Sequence, residues 1–360
     1  MNKKVILIKS LNGGGAERIL LNFANVFNER FGEDNLRIVS LLEEGELLNQ
    51  ALPSNIEFVY TPTSRLHKYW CLIKLVLFRK QIAKQFCQEQ EDYELISFLE
   101  GWSDLIIHAL PSDPHCKRIS WLHCGFDLYK KWNPVHRFFL KYGTQSNVVN
   151  CVSNYVKNSI PEIENTRTVY NFIDIDYIQT KAVEEPLDDE MFLDKSKKHL
   201  VAVGRMVYQK NFEFLLRAFK AFTQHNPDAV LHLLGDGELR TSLEALTQKL
   251  GLTNSVNFVG FVDNPYKYIK NADLVCMTSH FEGLPTVVIE SAILGTPVIA
   301  TQCGAQELLT LFGYPDEIEF DEATYAKAID KTLSTEYPPL ERKLFEKHFS
   351  FDNFLSNMSV

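Results

Sequence analysis

Short, continuous apolar runs recur along this chain, separated by stretches whose apolar positions return every three or four residues. Val5 to Ile8, Arg37 to Leu42, Ile56 to Tyr60, Glu94 to Leu99, Arg118 to His123 and Val148 to Val152 read as strands. The first of them, Val5 to Ile8, is apolar throughout rather than alternating, as expected of a parallel strand covered on both faces. A second series follows the same rule: His199 to Val203, Val230 to Leu234, Val256 to Val259, Leu274 to Met277 and Pro297 to Ala300. Helical patterns lie between successive runs in both series, which is the α/β signature. The pattern predicts two Rossmann-like, doubly wound parallel-sheet domains in tandem, with the cleft between their strand ends as the expected site. An acidic, polar stretch, residues 181–198, reads as the linker. It divides a first domain, 1–180, from a second, 199–340, and 341–360 reads as a helical segment packing back towards the first.

Within this frame one stretch combines several chemical signals. His280-Phe281-Glu282-Gly283-Leu284-Pro285-Thr286-Val287-Val288-Ile289-Glu290 follows the strand ending at Met277 and leads into a helix closed by Gly295 as its left-handed cap. Gly283 allows close backbone approach, and Pro285 suits a first helical turn, where its missing N–H is no loss. The N–H groups of Thr286 and Val287 would point out of the helix N-terminus, a ready seat for phosphate. Glu282 and Glu290 stand on either side. Carboxylates repel phosphate but accept from hydroxyls, so residues 282–290, with Leu284 among them, suit a pyrophosphate flanked by sugars: a nucleotide-sugar. Set against this, strand–loop–helix turns with Gly-Pro are common, and Glu290 also fits an ordinary exposed helix position.

Two further loops add to it. Asn12-Gly13-Gly14-Gly15 links the first strand to a helical segment, Ile19 to Phe27, without the dinucleotide spacing; Gly14 and Gly15 are candidates for close approach to a substrate. Gly204-Arg205-Met206-Val207-Tyr208-Gln209-Lys210 places Arg205 and Lys210 at a strand's C-terminal end, where a guanidinium fork and an ammonium can neutralise a leaving diphosphate; two solvated surface cations is the plainer alternative. Gly235-Asp236-Gly237 reads as a strand-to-helix turn whose backbone reaches the site, making Gly235 a minor binding candidate. Asp174-Ile175-Asp176 spells a D-x-D but lies in a turn, and the pairs His115-Cys116 and His123-Cys124 have a strand between them, so no metal site is expected.

Composition narrows the class. The formal net charge of −9 gives no case for nucleic acid. Seven scattered cysteines suit a reducing cytoplasm, and neither a spanning apolar run nor a signal-peptide pattern is present. One segment runs against the acidic balance: residues 65–84 carry Arg65, Lys68, Lys74, Arg79, Lys80 and Lys84 and no acid. On one continuous helix, Tyr69, Ile73 and Val76 form one apolar side and Leu75, Phe78 and Ile82 roughly the opposite one. A core-covering helix needs only one. Two readings stay open for the second side, seating in a lipid headgroup layer or contact within the domain. The basic residues Lys130, Lys131, Arg137 and Lys141 favour an anionic membrane.

Taken together, the GGGAER loop, Trp121-Leu122-His123, Asn171-Phe172-Ile173-Asp174, GRMVYQKN, Gly235-Asp236-Gly237 and EGLPTVVIE resemble, in order, the retaining family 4 glycosyltransferases of the GT-B fold (glycosyl transferases group 1). The resemblance implies that Glu290 holds the nucleotide ribose and Glu282 contacts the donor sugar. Arg205 and Lys210 would hold the diphosphate, the glycine loop would close over donor and acceptor, and His123 would lie near the transferred sugar. It implies a retaining, metal-independent transfer of a hexose or N-acetylhexosamine, from a UDP-sugar above all, to a saccharide or lipid-linked saccharide. The first domain would bind the acceptor, in bacterial surface polysaccharide, lipooligosaccharide or lipid-linked glycan synthesis. The cysteines and the basic segment 65–84, for their part, lead to the expectation of a place in the cytoplasm or peripherally on the inner membrane. No cofactor is expected. Two other readings are a nucleotide-sugar isomerase resembling the UDP-GlcNAc 2-epimerases, and a catalytically silent nucleotide-sugar-binding partner.

Overall fold

The computed structural model describes residues 2–12, 14–49, 52–86, 89, 92–109, 111–125 and 145–358. Lys130, Lys131, Arg137 and Lys141 fall outside them, as does Gly13. The chain forms two compact units, Met1–Ile173 with Lys347–Val360, and Asp174–Glu346.

In the first unit the strands are β1 (Lys3–Ile8), β2 (Leu36–Leu42), β3 (Ile56–Tyr60), β4 (Tyr93–Ser97), β5 (Cys116–Leu122), β6 (Val148–Cys151) and β7 (Thr166–Thr168). They pair in parallel in the order β3-β2-β1-β4-β5-β6-β7. On one face, Cys71, Leu75, Ile82, Ala83 and Phe86, from the helices Arg65–Leu77 and Arg79–Phe86, cover Val5, Leu7, Val39 and Leu41. On the other, Phe23 of the helix Gly15–Phe31 packs against Phe351 and Phe354 of the final helix, Phe351–Met358. Phe354 also stacks on Trp121 of β5, with ring centroids 5.0 Å apart. Each such fully buried apolar side chain contributes about 1.5–3 kcal/mol. A buried ion pair, Lys4 with its register partner Glu94, ties β1 to β4.

The second unit holds β8 (Lys198–Val203), β9 (Ala229–Leu234), β10 (Val256–Gly260), β11 (Leu274–Met277) and β12 (Val298–Ala300), all parallel in the order β10-β9-β8-β11-β12. Its core joins Leu200, Ala202, Leu231 and Leu233 to Leu215, Leu216, Phe219 and Phe222 of the helix Phe212–Thr223, and to Tyr325 and Ile329 of the helix Glu322–Leu333.

Two boundaries differ from the sequence reading. The stretch 181–198 is not a loose connection, because it holds the end of the helix Ile175–Glu184 and the short helix Glu190–Leu193, all within the second unit. Its acids serve helix starts: Asp189 caps Glu190–Leu193 by accepting from Met191 and Phe192, while Phe192 beneath is fully buried. The units divide at 173/174 rather than at 180, and the chain returns to the first unit at Lys347 rather than 341. Residues 65–84 are two helices broken at Phe78, not one, and the sides are the reverse of those expected: Leu75 and Ile82 enter the core, whereas Tyr69, Ile73 and Val76 stay exposed.

In each sheet the connections reverse direction at the central strand pair, β1/β4 in the first and β8/β11 in the second. Loops leaving such a pair splay apart and open a crevice at the strands' carboxyl ends. Those are the loops that carry the candidate residues.

Candidate active site

In the second unit the loops after β8 and β11 are stitched together. Gly204, in the left-handed region at φ +155°, makes room for the stem of Lys210: a Cβ there would lie 2.8 Å from Lys210 Cε. Beyond it a short turn, Tyr208–Lys210, ends at Asn211 with φ 50°, a conformation asparagine tolerates, and the helix Phe212–Thr223 begins. The Lys210 ammonium donates to Glu282 Oε1 at 2.6 Å, and Ser279 Oγ donates to the same oxygen at 2.6 Å. His280 N donates to Gln209 O, Gln209 Nε2 to Phe281 O and Thr278 Oγ1 to Lys210 O, at 2.8, 3.0 and 3.0 Å. Glu282 is nearly buried and Lys210 partly so. A pair this sheltered is screened less than a surface pair, and either charge left alone there would be costly.

A third loop, after β12, supports the second. Cys303 O accepts from Glu282 N at 2.7 Å. The backbone N–H groups of Cys303, Gly304 and Ala305 all donate to Glu317 Oε1, at 3.0, 2.7 and 2.5 Å.

The helix Thr286–Leu294 follows Glu282 and Gly283 at once. Pro285 precedes its first residue, the first bond runs from Val288 N to Pro285 O at 3.1 Å, and Gly295 ends it in the left-handed conformation, φ 78°. Thr286 and Val287 thus carry N–H groups ahead of any intrahelical bond. Their turn holds no acid. Glu290 is half-exposed one turn further on, and Leu284 is buried in the loop. Arg205 is exposed, and its guanidinium makes no hydrogen bond or ion pair among the described residues.

Gly235, at φ +131°, is a packing residue. A Cβ on it would fall 2.1 Å from Gly204 O, its own N donates to Gly260 O, and a Cβ on Gly237 would fall 2.6 Å from Met206 O. The Gly-Asp-Gly turn thus presses directly on the segment that carries Arg205. Asp174 and Asp176 both have structural work. Asp174 caps the helix Ile175–Glu184 by accepting from Tyr177 N, and Asp176 accepts two bonds from Arg342, at 2.7 and 2.8 Å.

The corresponding loops of the first unit differ in character. Gly14 caps the helix that begins at Gly15, with an ordinary φ of −69°, so neither a turn nor strain requires it. The glycine that close approach does demand is Gly45, at φ +126°, where a Cβ would sit 2.0 Å from Leu11 O. His123, after β5, donates its backbone N–H to Glu100 Oε2 at 2.8 Å, and its ring lies 4.9 Å from that of Phe98. Burial pushes the imidazole down to about 3, and raises the Glu100 carboxyl above its ordinary value. The His123 Nε2 is buried, with no hydrogen-bond partner among the described residues. Behind these loops Asp104 accepts from Gly101 N and Ser120 Oγ, and Ser120, Ser146 and His108 continue the chain of bonds. Burial raises the Asp104 carboxyl to about 7 and lowers His108 to about 4.

Sequence reasoning missed Ser279, Glu317 and Gly45. Ser279 had a local signal, a hydroxyl three residues before the carboxylate it holds. Glu317 and Gly45 had none, because their partners lie across loops.

Similarity to known proteins agrees with this geometry in two steps. The fold is GT-B: the crystal structure of HepE from Anabaena in complex with UDP and glucose superposes with a TM-score of 0.75 at 17% identity, covering 99% of this chain and 98% of that one. Residues 184–345 match the family described as glycosyl transferases group 1. An uncharacterised glycosyltransferase of Methanocaldococcus jannaschii is 35% identical over 185 residues, 49% of this chain and 44% of that protein. The N-acetylgalactosamine-N,N'-diacetylbacillosaminyl-diphospho-undecaprenol 4-alpha-N-acetylgalactosaminyltransferase of Campylobacter jejuni is 35% identical over 142 residues, 39% of this chain and 36% of that one. The matched stretch therefore spans less than half the length of either relative.

Proposed function

We propose that the protein is a retaining, metal-independent glycosyltransferase that moves a hexose or N-acetylhexosamine from a nucleotide-sugar, a UDP-sugar above all, to a saccharide or lipid-linked saccharide. The observation that carries this reading is the Lys210–Glu282 pair at the β8/β11 crossing, set directly before a helix N-terminus. An ammonium has three N–H donors, of which Glu282 takes one, so the others can meet phosphate oxygens. Arg205 stands one loop residue past Gly204 with its fork unused, and the Thr286 and Val287 N–H groups add fixed positive ends. Lys210 and Ser279 converge on Glu282 Oε1, which leaves Oε2 to accept from a sugar hydroxyl. Glu290 suits the ribose hydroxyls.

The chemistry follows from where charge develops. As the bond from the anomeric carbon to the diphosphate breaks, negative charge grows on the departing oxygen and positive charge on the ring. Lys210, Arg205 and the helix N-terminus stabilise the former; such preorganised donors are worth about 10²–10³ in rate each. The acceptor hydroxyl gives its proton to the leaving phosphate on the same face, so the configuration is retained without a protein nucleophile. The names of relatives support the acceptor class: one is the lipid-linked galactosaminyltransferase above, others an amylovoran biosynthesis and a lipopolysaccharide core glycosyltransferase.

The test is a panel of nucleotide-sugars incubated with the protein, with and without acceptor extract, in the presence of EDTA. Acceptor-stimulated nucleotide release that survives EDTA is the expected outcome. Epimerised donor without acceptor would instead make it an isomerase, and binding without turnover a silent partner. A strict need for Mn²⁺ or Mg²⁺ would overturn the metal-independent arrangement and return Asp174 and Asp176 to consideration.

A further inference from the structure

The helix Arg65–Leu77 in the first unit has a face that none of the described residues covers. Leu66, Tyr69, Trp70, Ile73 and Leu77 fall within about 100° of its circumference, and Leu66, Trp70 and Leu77 are 77%, 62% and 68% exposed. Val76 and Phe78 extend the patch and are exposed too. The opposite face, Cys71 and Leu75, is the one that packs on the sheet. A helix serving only its own domain carries polar side chains where these residues stand. A contiguous apolar face of this size marks an interaction site.

The charges around it identify the partner. The segment from Arg65 to Lys84 contains no acid. Arg65 is exposed at the start of the helix, and Lys80 and Lys84 are exposed on the helix that follows. Lys74 lies on the flank of the apolar face, its ammonium 5.8 Å from the centre of the Tyr60 ring. Lys68 points to the inner side, where it pairs with Glu44. A protruding apolar stripe containing Trp and Tyr, accompanied by cations that form no ion pair among the described residues, has the make-up of a helix that lies in the boundary between headgroups and acyl chains. A second protein would need a matching apolar groove with an acidic rim. A bilayer containing anionic lipid offers both at every point.

We infer that the Arg65–Phe78 face is a docking surface for an anionic lipid bilayer, with Leu66, Trp70, Ile73 and Leu77 inserted among the acyl chains and Arg65, Lys74, Lys80 and Lys84 on the headgroups. No described helix is long and apolar enough to cross a membrane; the attachment inferred is in the plane of the bilayer, through one helix face. It stands independently of the transfer reaction, and its test does not use turnover.

The full chain is mixed with phosphatidylcholine vesicles with and without phosphatidylglycerol, at low and high salt, and sedimented. Binding to the anionic vesicles at low salt, weakened at high salt, is expected, with a blue shift of tryptophan emission that Trp70→Phe removes while binding persists. Leu66→Glu with Leu77→Glu should reduce binding at least tenfold. Those side chains make no core contacts, so the melting temperature should stay unchanged. Lys74→Gln, Lys80→Gln and Lys84→Gln together should abolish the preference for anionic lipid. Failure to bind either vesicle overturns the inference. So does equal, salt-independent binding to both, or a concentration-dependent dimer that Leu77→Glu dissolves while vesicles are ignored.

Discussion

The β1/β4 and β8/β11 crossings share one topology and opposite electrostatics. At β8/β11 the loops converge on a sheltered ion pair, with the exposed Arg205 on the first loop and a helix N-terminus at the end of the second. Around the loops that follow β4 and β5, by contrast, burial favours neutral forms: His123 is held neutral, and the Glu100 and Asp104 carboxyls are held towards their protonated forms. The second crossing gathers charge in its loops, while the loops beside the first gather buried groups held near their neutral forms. The same connection of strands thus supports either chemistry, and the loop residues decide which.

Removing the charge from the second crossing should have the largest effect. Lys210→Ala is expected to lower kcat/KM by about 10²–10³, or about 3–4 kcal/mol of transition-state stabilisation, with the nucleotide-release assay as readout. If turnover survives within a few-fold, the contrast between the crossings has no catalytic meaning. Next is Gly235→Ala, which adds a methyl 2.1 Å from Gly204 O at φ +131°. It should destabilise the second unit by about 3 kcal/mol, read by denaturant titration, and should weaken nucleotide binding by displacing Arg205.

Asp104 probes the first crossing. Its folded value, about 7, lies above the unfolded one. The folded state therefore keeps a proton that the unfolded chain has lost, and stability falls as pH rises through the window between the two. About 2–3 kcal/mol should be lost between pH 5 and pH 8 through this group. Asp104→Asn should flatten that slope in chemical denaturation; an unchanged slope would mean the crossing is not governed by burial. The smallest effect is expected of Glu290→Gln: about a tenfold loss of nucleotide affinity by calorimetry, about 1.4 kcal/mol, without change in melting temperature. Unchanged affinity would remove Glu290 from the site.

The strands were legible because parallel strands covered on both faces have no polar side to interrupt their apolar run. Leu274–Met277, buried along its length, coincides with the expected limits, and so does the half-exposed edge strand Ile56–Tyr60, whose four apolar residues around Glu57 marked it. The opposite edge strand, Thr166–Thr168, was not legible, because Thr-Arg-Thr is short, polar and half-exposed. At the site, the residue types at the strand ends were readable, as was the left-handed Gly295 cap. That Lys210 and Glu282 bond to one another was not, since they are 72 positions apart. Burial misled in the other direction at residues 65–84. Periodicity showed that two apolar sides exist, but which of them the sheet covers depends on the break at Phe78, which has no signature in the sequence.

The final helix has a consequence for how the protein is made. Phe351 and Phe354 complete the packing around Phe23 and Trp121, so the unit synthesised first is finished last. On the ribosome, residues up to 173 must wait with part of their aromatic core uncovered while the whole second unit emerges and folds. Early folding of the first unit would then be held open on one face of its sheet, an opportunity for chaperones. A transcript cut short before Lys347 would yield a sound second unit carrying an incomplete first one. Circular permutation that joins residues 347–358 to the start of the chain should let the first unit fold as it is translated.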